Sequence, residues 1–467
     1  GLTNKYNIWA STLDRQDVEV MHDRIKNGAN LLDDHVFQFD FLNDDFSKLP
    51  KPLQDIINNP KKRKKLVVYI NPPYAETSGS LKTTAKKGVN QTLMHKNYKT
   101  FLERANHELY AQFLARIYNE LNGCIIAEFS KIKSLQGSHF KTFRDNFLAS
   151  LEKMFIVPAD TFDNVKGQFP IGFKIWDTKI KKRFTNYSTD VYDFKQKKLK
   201  NKNIFSYDDE KGLINKWIKS YQHENKNNKL GEIGIARNDI QNKSLCWIGN
   251  TAERGLDISY KTLIIDVIFF AVQACIKATW LNDRDQFLYP NDGWKTDKEF
   301  QNDCLAFTLF HGQNRISSTE GTNHWIPFTE KEVNSREKFE SNFMSDFIKG
   351  KSKPPKKSTF NLMVLFETEP PYNDYNKSPL QFSTAATAVF NAGLELWKYY
   401  HRQPNCNVNA SLYDIREHFQ GRNEAGKMNN KSSNETYMKL IGDLREQLGK
   451  LANKIEPKVY EYEFLKE

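Results

Sequence analysis

Leu66-Val67-Val68-Tyr69-Ile70-Asn71-Pro72-Pro73-Tyr74 decides the fold. Five apolar residues, two of them valine, fit a pleated buried strand. Two prolines end it, because each fixes φ and lacks an N–H for the ladder. Asn71 therefore falls at the carboxyl end of a strand, the edge where open α/β sheets bind their ligands.

Outward from that strand, residues 7 to 178 alternate short β-like runs with helical ones. Ile8-Trp9-Ala10, Val36-Phe37-Gln38-Phe39, Cys124 to Glu128 and Gly172 to Trp176 read as strands. Residues 17 to 28, 106 to 121 and 138 to 150 read as helices. Strand and helix in alternation imply an α/β fold with a mostly parallel, Rossmann-like sheet. Residues 75 to 100, rich in Thr, Ser, Gly, Lys and Asn, read as a long loop.

Past a lysine-rich stretch the pattern changes to irregular segments dense in aromatics, Asn and Gly, then to helices. Thr384 to Tyr400 carries an apolar face, and Leu440, Leu444, Leu448 and Leu451 share one face over Tyr437 to Ile455. The expected organisation is an α/β domain over 1 to 178, a basic linker over 179 to 205, a mixed α+β region over 206 to 380 and a helical region over 381 to 467. A chain of 467 residues exceeds what one core usually organises.

The net charge of +12 is localised. Residues 1 to 178 hold 25 basic and 20 acidic side chains, a net of +5, and residues 179 to 205 hold nine and two, a net of +7. The remainder balances at 35 and 35. Lys61, Lys62, Arg63, Lys64 and Lys65 form one block, and Lys181, Lys182 and Arg183 open another. Such blocks suit a polyphosphate such as double-stranded DNA, whose affinity comes largely from backbone neutralisation, although solvated loops carry them too. Five cysteines without Cys-x-x-Cys spacing fit a reducing cytoplasm and no structural metal. The apolar run Leu263 to Ala274 is broken by Asp266 and Gln273 and falls short of the roughly 20 residues of a membrane span.

An asparagine followed by two prolines and an aromatic residue has a specific use. The exocyclic amine of adenine is a poor nucleophile because its lone pair is delocalised into the ring. Two acceptors for its N–H bonds localise that pair: the Asn71 side-chain oxygen, and the Pro72 carbonyl held rigid by Pro72 and Pro73. Tyr74 can stack on the base, which must first be flipped out of a duplex. A rigid turn after a strand is the competing meaning of the same four residues.

Residues 7 to 178 resemble the catalytic domain of adenine-N6 DNA methyltransferases of restriction–modification systems, with several elements in the family's order. Ile8 to Asp14 is similar to the family's second strand, whose terminal acid holds the cofactor ribose. Phe37 to Leu42 resembles the third-strand motif, whose Asp and following apolar residue contact the adenine of S-adenosylmethionine. The resemblance thus implies S-adenosylmethionine as cofactor, with Asp14, Asp40 and Phe41 as its contacts. It implies Asn71, Pro72, Pro73 and Tyr74 as the catalytic loop. Glu108-Leu109-Tyr110, Gly123 to Ile126 and Gln168 to Gly172 fall where the later motifs lie, and Phe169 would supply the second face of a base sandwich with Tyr74. Asp14 is also placed to cap the helix that follows, Asp40 to cap a turn, and Phe169 and Tyr110 to fill a core. The family's glycine-rich cofactor loop is absent from residues 1 to 8, so further sequence upstream of Gly1 is expected.

In such proteins a later region recognises the target sequence. Arg284, Gln313, Asn314, Arg315, Asn323, His324, Arg422, Asn423, Lys427 and Asn429 are residue types that read base edges or phosphates, though each is also an ordinary surface residue. The Glu-x-Lys tripeptides at Glu224 and Glu456 lie on no convincing strand, so no nuclease is expected in the chain, and a cognate restriction endonuclease would be a separate partner. Two other readings stay open: methylation of cytosine N4, and a non-catalytic or fragmentary DNA-recognition module.

Overall fold

A computed structural model describes residues 4–72, 89–162, 165, 167–193, 197–208, 211–222, 229–235, 240, 246–252, 255–352 and 378–467. The chain forms two compact units, Gly1–Asp208 and Asp209–Glu467.

The first unit runs β1 (Ala10–Thr12), α1 (Arg15–Lys26), β2 (Val36–Gln38), α2 (Lys51–Ile57), α3 (Pro60–Arg63), β3 (Val67–Ile70), α4 (Leu93–Asn97), α5 (Lys99–Leu102), α6 (Leu109–Glu120) and β4 (Ile125–Lys131). It continues with α7 (Lys133–Gln136), α8 (Lys141–Asn146), β5 (Ala149–Pro158), β6 (Pro170–Lys181), β7 (Asn186–Asp193) and β8 (Lys197–Phe205). Strands β1 and β2 pair in parallel, and the others form a six-stranded sheet in the order β3-β4-β6-β5-β7-β8. The α/β class is therefore as expected.

Three expectations need correction. The large sheet is mixed: β3 and β4 run parallel, as do β5 and β7, but β6 is antiparallel to both β4 and β5, and β8 to β7. Eleven residues separate Pro158 from Pro170, carrying among the described residues a short 3-10 turn, Ala159–Thr161, and a parallel return needs a crossover of a dozen or more residues. Within the linker expected over 179 to 205, Asn186–Asp193 and Lys197–Phe205 pair with each other as β7 and β8 and extend the sheet, because Thr189, Val191 and Ile204 turn inward in an alternating strand pattern. The helix expected over 138 to 150 stops at Asn146, and Ala149 already pairs with Lys181. Of the loop expected over 75 to 100, residues 89 to 100 run largely as short helical turns, and 75 to 88 lie outside the described residues.

Across β4 and β6 sits a buried ion pair. Lys174 Nζ lies 2.9 Å from Glu128 Oε1, and both side chains are fully buried. Trp176 Nε1 donates to the same oxygen and Lys174 to Ser130 Oγ. Burial pulls the Lys174 ammonium below its ordinary range, and Glu128 opposes that pull. Removing one partner should cost more than removing both. Lys174→Met is expected to lose about 3–5 kcal/mol in urea unfolding, and Lys174→Met with Glu128→Leu to recover most of it.

The second unit comprises α9 (Ile214–Lys219), β9 (Lys229–Ile235), β10 (Cys246–Gly249), β11 (Gly255–Ser259), α10 (Leu263–Ala274), α11 (Lys298–Phe310), α12 (Glu330–Val333), α13 (Phe343–Ile348), α14 (Thr384–His401), α15 (Leu412–Gln420) and α16 (Glu435–Glu461). Strand β9 is central in an antiparallel three-stranded sheet. Helix α16 buries Tyr437, Ile441, Leu444, Leu448, Leu451, Ile455 and Val459, a stripe at spacings of three and four. The expected division near 380 is not seen. Helices α14 and α16 share one apolar cluster with α10, α11 and the sheet, since α10 is buried on nearly every residue and needs cover all round. No helix among the described residues is long and apolar enough to cross a membrane.

His401, only 3% exposed, has no hydrogen-bond partner for either ring nitrogen among the described residues, and burial pushes its pKa down to about 4. A depressed histidine contributes stability that is present above the unfolded value near 6.5 and is lost as pH falls toward the folded one. Over that window the loss should approach about 3 kcal/mol. Urea titrations from pH 7 to pH 4 should show this slope, and His401→Phe should remove it.

Candidate functional site

Strand β3 delivers Asn71 one residue past Ile70, which pairs with Glu128 of β4. Asn71 is exposed and Pro72 buried, while Pro73 and Tyr74 lie outside the described residues. Because β4 runs parallel to β3, its carboxyl end reaches the same edge. Lys131, the last residue of β4, pairs with Ile171 near the start of antiparallel β6. Phe169, half-buried two residues before Ile171, therefore enters the sheet at the edge where Asn71 leaves it. Its carbonyl accepts from Ala159 N at 2.9 Å, which fixes the backbone and leaves the ring at the rim. The topology brings Asn71 and Phe169 to one edge from positions nearly a hundred residues apart.

Groups at this edge that the sequence did not single out include an aromatic cluster. Phe129 and Phe173 pair across β4 and β6 with centroids 4.8 Å apart, Phe155 lies 5.1 Å from Phe173, and Phe162 lies 5.2 Å from Phe129. All four are half-buried. Their signal was legible only after pairing, since each sits on a different strand or loop. Glu108, at the head of α6, places one carboxylate oxygen 2.7 Å from Lys133 Nζ and the other 3.5 Å from Lys131 Nζ. Tyr110 is fully buried and stacks on Phe140, so its place is in the core.

The residues implied as cofactor contacts are held by their own neighbours. Asp14 Oδ1 accepts from Gln16 N at 2.9 Å as the N-cap of α1. Asp40 Oδ1 accepts from Leu42 N and Asn43 N, and Oδ2 from Asn43 Nδ2 at 2.7 Å. That takes most of the roughly four lone-pair directions of a carboxylate. Phe41 stacks on Phe113 at 5.2 Å, 3° from parallel.

Arg116 fixes this loop. Its guanidinium lies over the Phe46 ring at 4.1 Å and donates to the carbonyls of Phe41 and Asp44, while Nε donates to Glu120 at 2.9 Å. Lys48 and the Asp40 N–H hold the Asp44 carboxyl below its usual range. Arg116→Lys loses the planar fork and is expected to cost about 1–3 kcal/mol. Amide hydrogen exchange over residues 40 to 46 should accelerate, and unchanged protection would remove Arg116 from this role.

The basic blocks lie elsewhere. Lys61 to Lys65 precede β3, so the length of that strand separates them from Asn71. Lys181 and Lys182 leave β6 at its far end, on the same opposite edge. Five residues of extended strand span roughly 15 Å, so closeness to Asn71 in the sequence does not place these blocks beside it. Lys181 Nζ donates to Tyr118 OH at 2.9 Å and covers its ring. Arg63 donates to Ile57 O, and Arg183 is held by Asp145 and Asp208.

In the second unit Arg315 is exposed and donates to Gln313 Oε1. Arg422 is exposed and engaged with Glu417, Tyr413 OH and the Gly426 carbonyl. Arg284 lies 3.3 Å from Asp283. Asn314 and Asn323 are buried and brace loops, through Thr308 O and Asn409 O respectively, and His324 Nδ1 meets Ser341 Oγ. Asn423 Oδ1 accepts from Ala425 N and Lys427 N, and Asn429 bonds Gln420 O. Glu224 lies outside the described residues. Among the described residues no three His, Cys, Asp or Glu side chains cluster as a metal site would require.

No family model matches the chain, and no curated protein matches it. Solved structures do. A DrdV–DNA complex is similar over 41% of this chain and 21% of that chain, at 12% identity and a TM-score of 0.30. A type I restriction–modification methyltransferase subunit from Streptococcus thermophilus is similar over 43% of this chain and 39% of that one, at 19% identity and a TM-score of 0.26. The type I restriction enzyme EcoKI M protein is similar over 40% and 35%, at 15% identity and a TM-score of 0.25. The chain thus spans well under half the length of these proteins. At such scores the likeness carries no functional weight, which rests on the residues themselves.

Proposed function

We propose that the chain is a DNA methyltransferase module of a restriction–modification system that transfers a methyl group from S-adenosylmethionine to the N6 amine of a flipped adenine. The observation that carries it is the arrival of Asn71-Pro72 and Phe169 at one edge of the sheet. The Asn71 side-chain oxygen and the Pro72 carbonyl would accept the two N–H bonds of the amine. That would localise the lone pair for in-line attack on the methyl carbon; as the N–C bond forms the methyl–sulfur bond breaks, S-adenosylhomocysteine leaves with that electron pair, and the amine proton departs to solvent. Positioning and hydrogen-bond acceptors do this work, with no strong base. Phe169 and Tyr74 would sandwich the base. Phe41, steadied by Phe113 and Arg116, would pack on the cofactor adenine, and the remaining acceptor capacity of Asp14 and Asp40 would face its ribose and adenine. S-adenosylmethionine supplies the electrophilic methyl group when bound. Arg315 and Arg422 would belong to recognition of double-stranded DNA, and a restriction endonuclease would be a separate partner.

A second reading, a DNA-recognition module without catalysis, is favoured by one observation. Asp40 accepts three hydrogen bonds within its own turn, as a residue with a structural duty does.

Labelled S-adenosylmethionine and duplex DNA separate the two. Methyl transfer to adenine N6 is expected, with Asn71→Ala lowering kcat by about a hundredfold or more at unchanged unfolding midpoint. Transfer by Asn71→Ala at the parent rate would overturn the mechanism, and DNA binding without cofactor binding by calorimetry would select the second reading. Nucleoside analysis of the product distinguishes adenine N6 from cytosine N4.

A further inference from the structure

Two lysine blocks more than a hundred residues apart in sequence meet at one edge of the first unit. Val67, two residues after Lys65, pairs with Ile125, and Ile125 pairs with Asp177, two residues before Lys179. The blocks are thus two strand spacings apart, roughly 10 Å. Lys61, Lys62, Lys64, Lys65, Lys179 and Lys182 are all exposed. None of the six has an ion-pair partner among the described residues, in contrast to their neighbour Arg183, which is paired with Asp145 and Asp208.

The nearby acids are taken. Asp177 accepts from Lys179 N, Asp145 is shared by Lys141 and Arg183, and Asp55 faces Lys51. Cys124, at the foot of β4 between the blocks, feels both the Arg63 charge and the Asp177 carboxylate, although burial is the larger effect and pushes its thiol up to about 11. The two blocks therefore share one electrostatic environment.

Local structure presents the lysines outward. Asn59 caps the turn α3 by accepting from Lys61 N and Lys62 N, and Arg63 folds back onto Ile57 O, which turns the remaining side chains to solvent. The β6 end alternates Thr178, buried, with Lys179, exposed. Compact ammonium groups on flexible stems neutralise phosphates without reading bases. A surface for single strands would add stacking aromatics among its charges, and these six positions interleave none.

We infer that this edge is a sequence-independent contact for the sugar–phosphate backbone of duplex DNA, separate from the Asn71 edge. It holds a duplex whether or not the chain methylates it, so it goes beyond the proposed reaction. The strand-long separation of the two edges means that these lysines grip DNA away from the flipped base.

The test uses the whole chain and a random-sequence duplex. Fluorescence anisotropy against salt should give a slope of log K on log salt that falls in the variant carrying Lys→Gln at all six positions, by about 0.9 for each phosphate no longer neutralised, or roughly 3 to 5 in total. Amine acetylation read by mass spectrometry should show Lys61, Lys62, Lys64, Lys65, Lys179 and Lys182 protected when the duplex is present. An unchanged slope overturns the inference, as does equal acetylation with and without DNA. So does binding to phosphatidylserine vesicles that depends on the six lysines while the DNA slope does not. Protection without methyl transfer would leave this contact standing and remove only the methyltransferase reading, and methyl transfer without protection would do the reverse.

Discussion

The double pairing of β4 is the constraint on which the first unit depends. Strand β4 bonds β3 in parallel from Ile125 to Glu128 on one side and β6 in antiparallel along its full length on the other. That arrangement carries the carboxyl ends of β3 and β4 and the entry of β6 to one edge, and so Asn71 and Phe169 with them. The buried Glu128–Lys174 pair locks the register. A slip of one residue would turn every side chain to the other face, parting two charges that lie wholly inside the protein.

The charge of the chain divides along the same lines. Much of it is used to hold elements in place. Arg144 is buried and ties α8 to Asp208 and to the carbonyls of Ser134 and Gly137. Arg116 braces the loop after β2, and Arg422 closes the turn after α15. The planar fork of arginine suits such bidentate work. Several lysines stay exposed on the surface, and the sheet gathers a group of them at the edge opposite Asn71. The surplus counted in the sequence is therefore a surface with a location.

In the second unit polar side chains serve loops. Asp414 accepts from Ser317 Oγ, Ser318 N and Ser411 N, and Asn314 and Asn323 satisfy buried backbone groups. Irregular segments crossing a core need such partners for N–H and C=O groups that no ladder satisfies. An Asn-rich, aromatic-rich stretch consequently reads as a recognition surface in one dimension and as internal scaffolding in three.

The sequence by itself determined the local elements whose causes are local. Short apolar runs gave β2 to β4 nearly in place and β1 two residues early, spacings of three and four gave α14 and α16, and a polar residue before Pro72 and Pro73 ended β3. It also supplied the role proposed for Asn71, which rests on residue types. Tertiary structure decided what depends on partners distant in the chain. It set the antiparallel direction of β6, the pairing of the supposed linker as β7 and β8, and the arrival of Phe169 at the sheet edge that Asn71 reaches. It also moved the basic blocks to the far edge and buried Asn314 and Asn323. Hydrophobic period specifies which face of a strand turns inward, but which strand lies beside it is settled by the whole core at once. Proximity along the chain is therefore a poor guide to which end of a sheet two residues share.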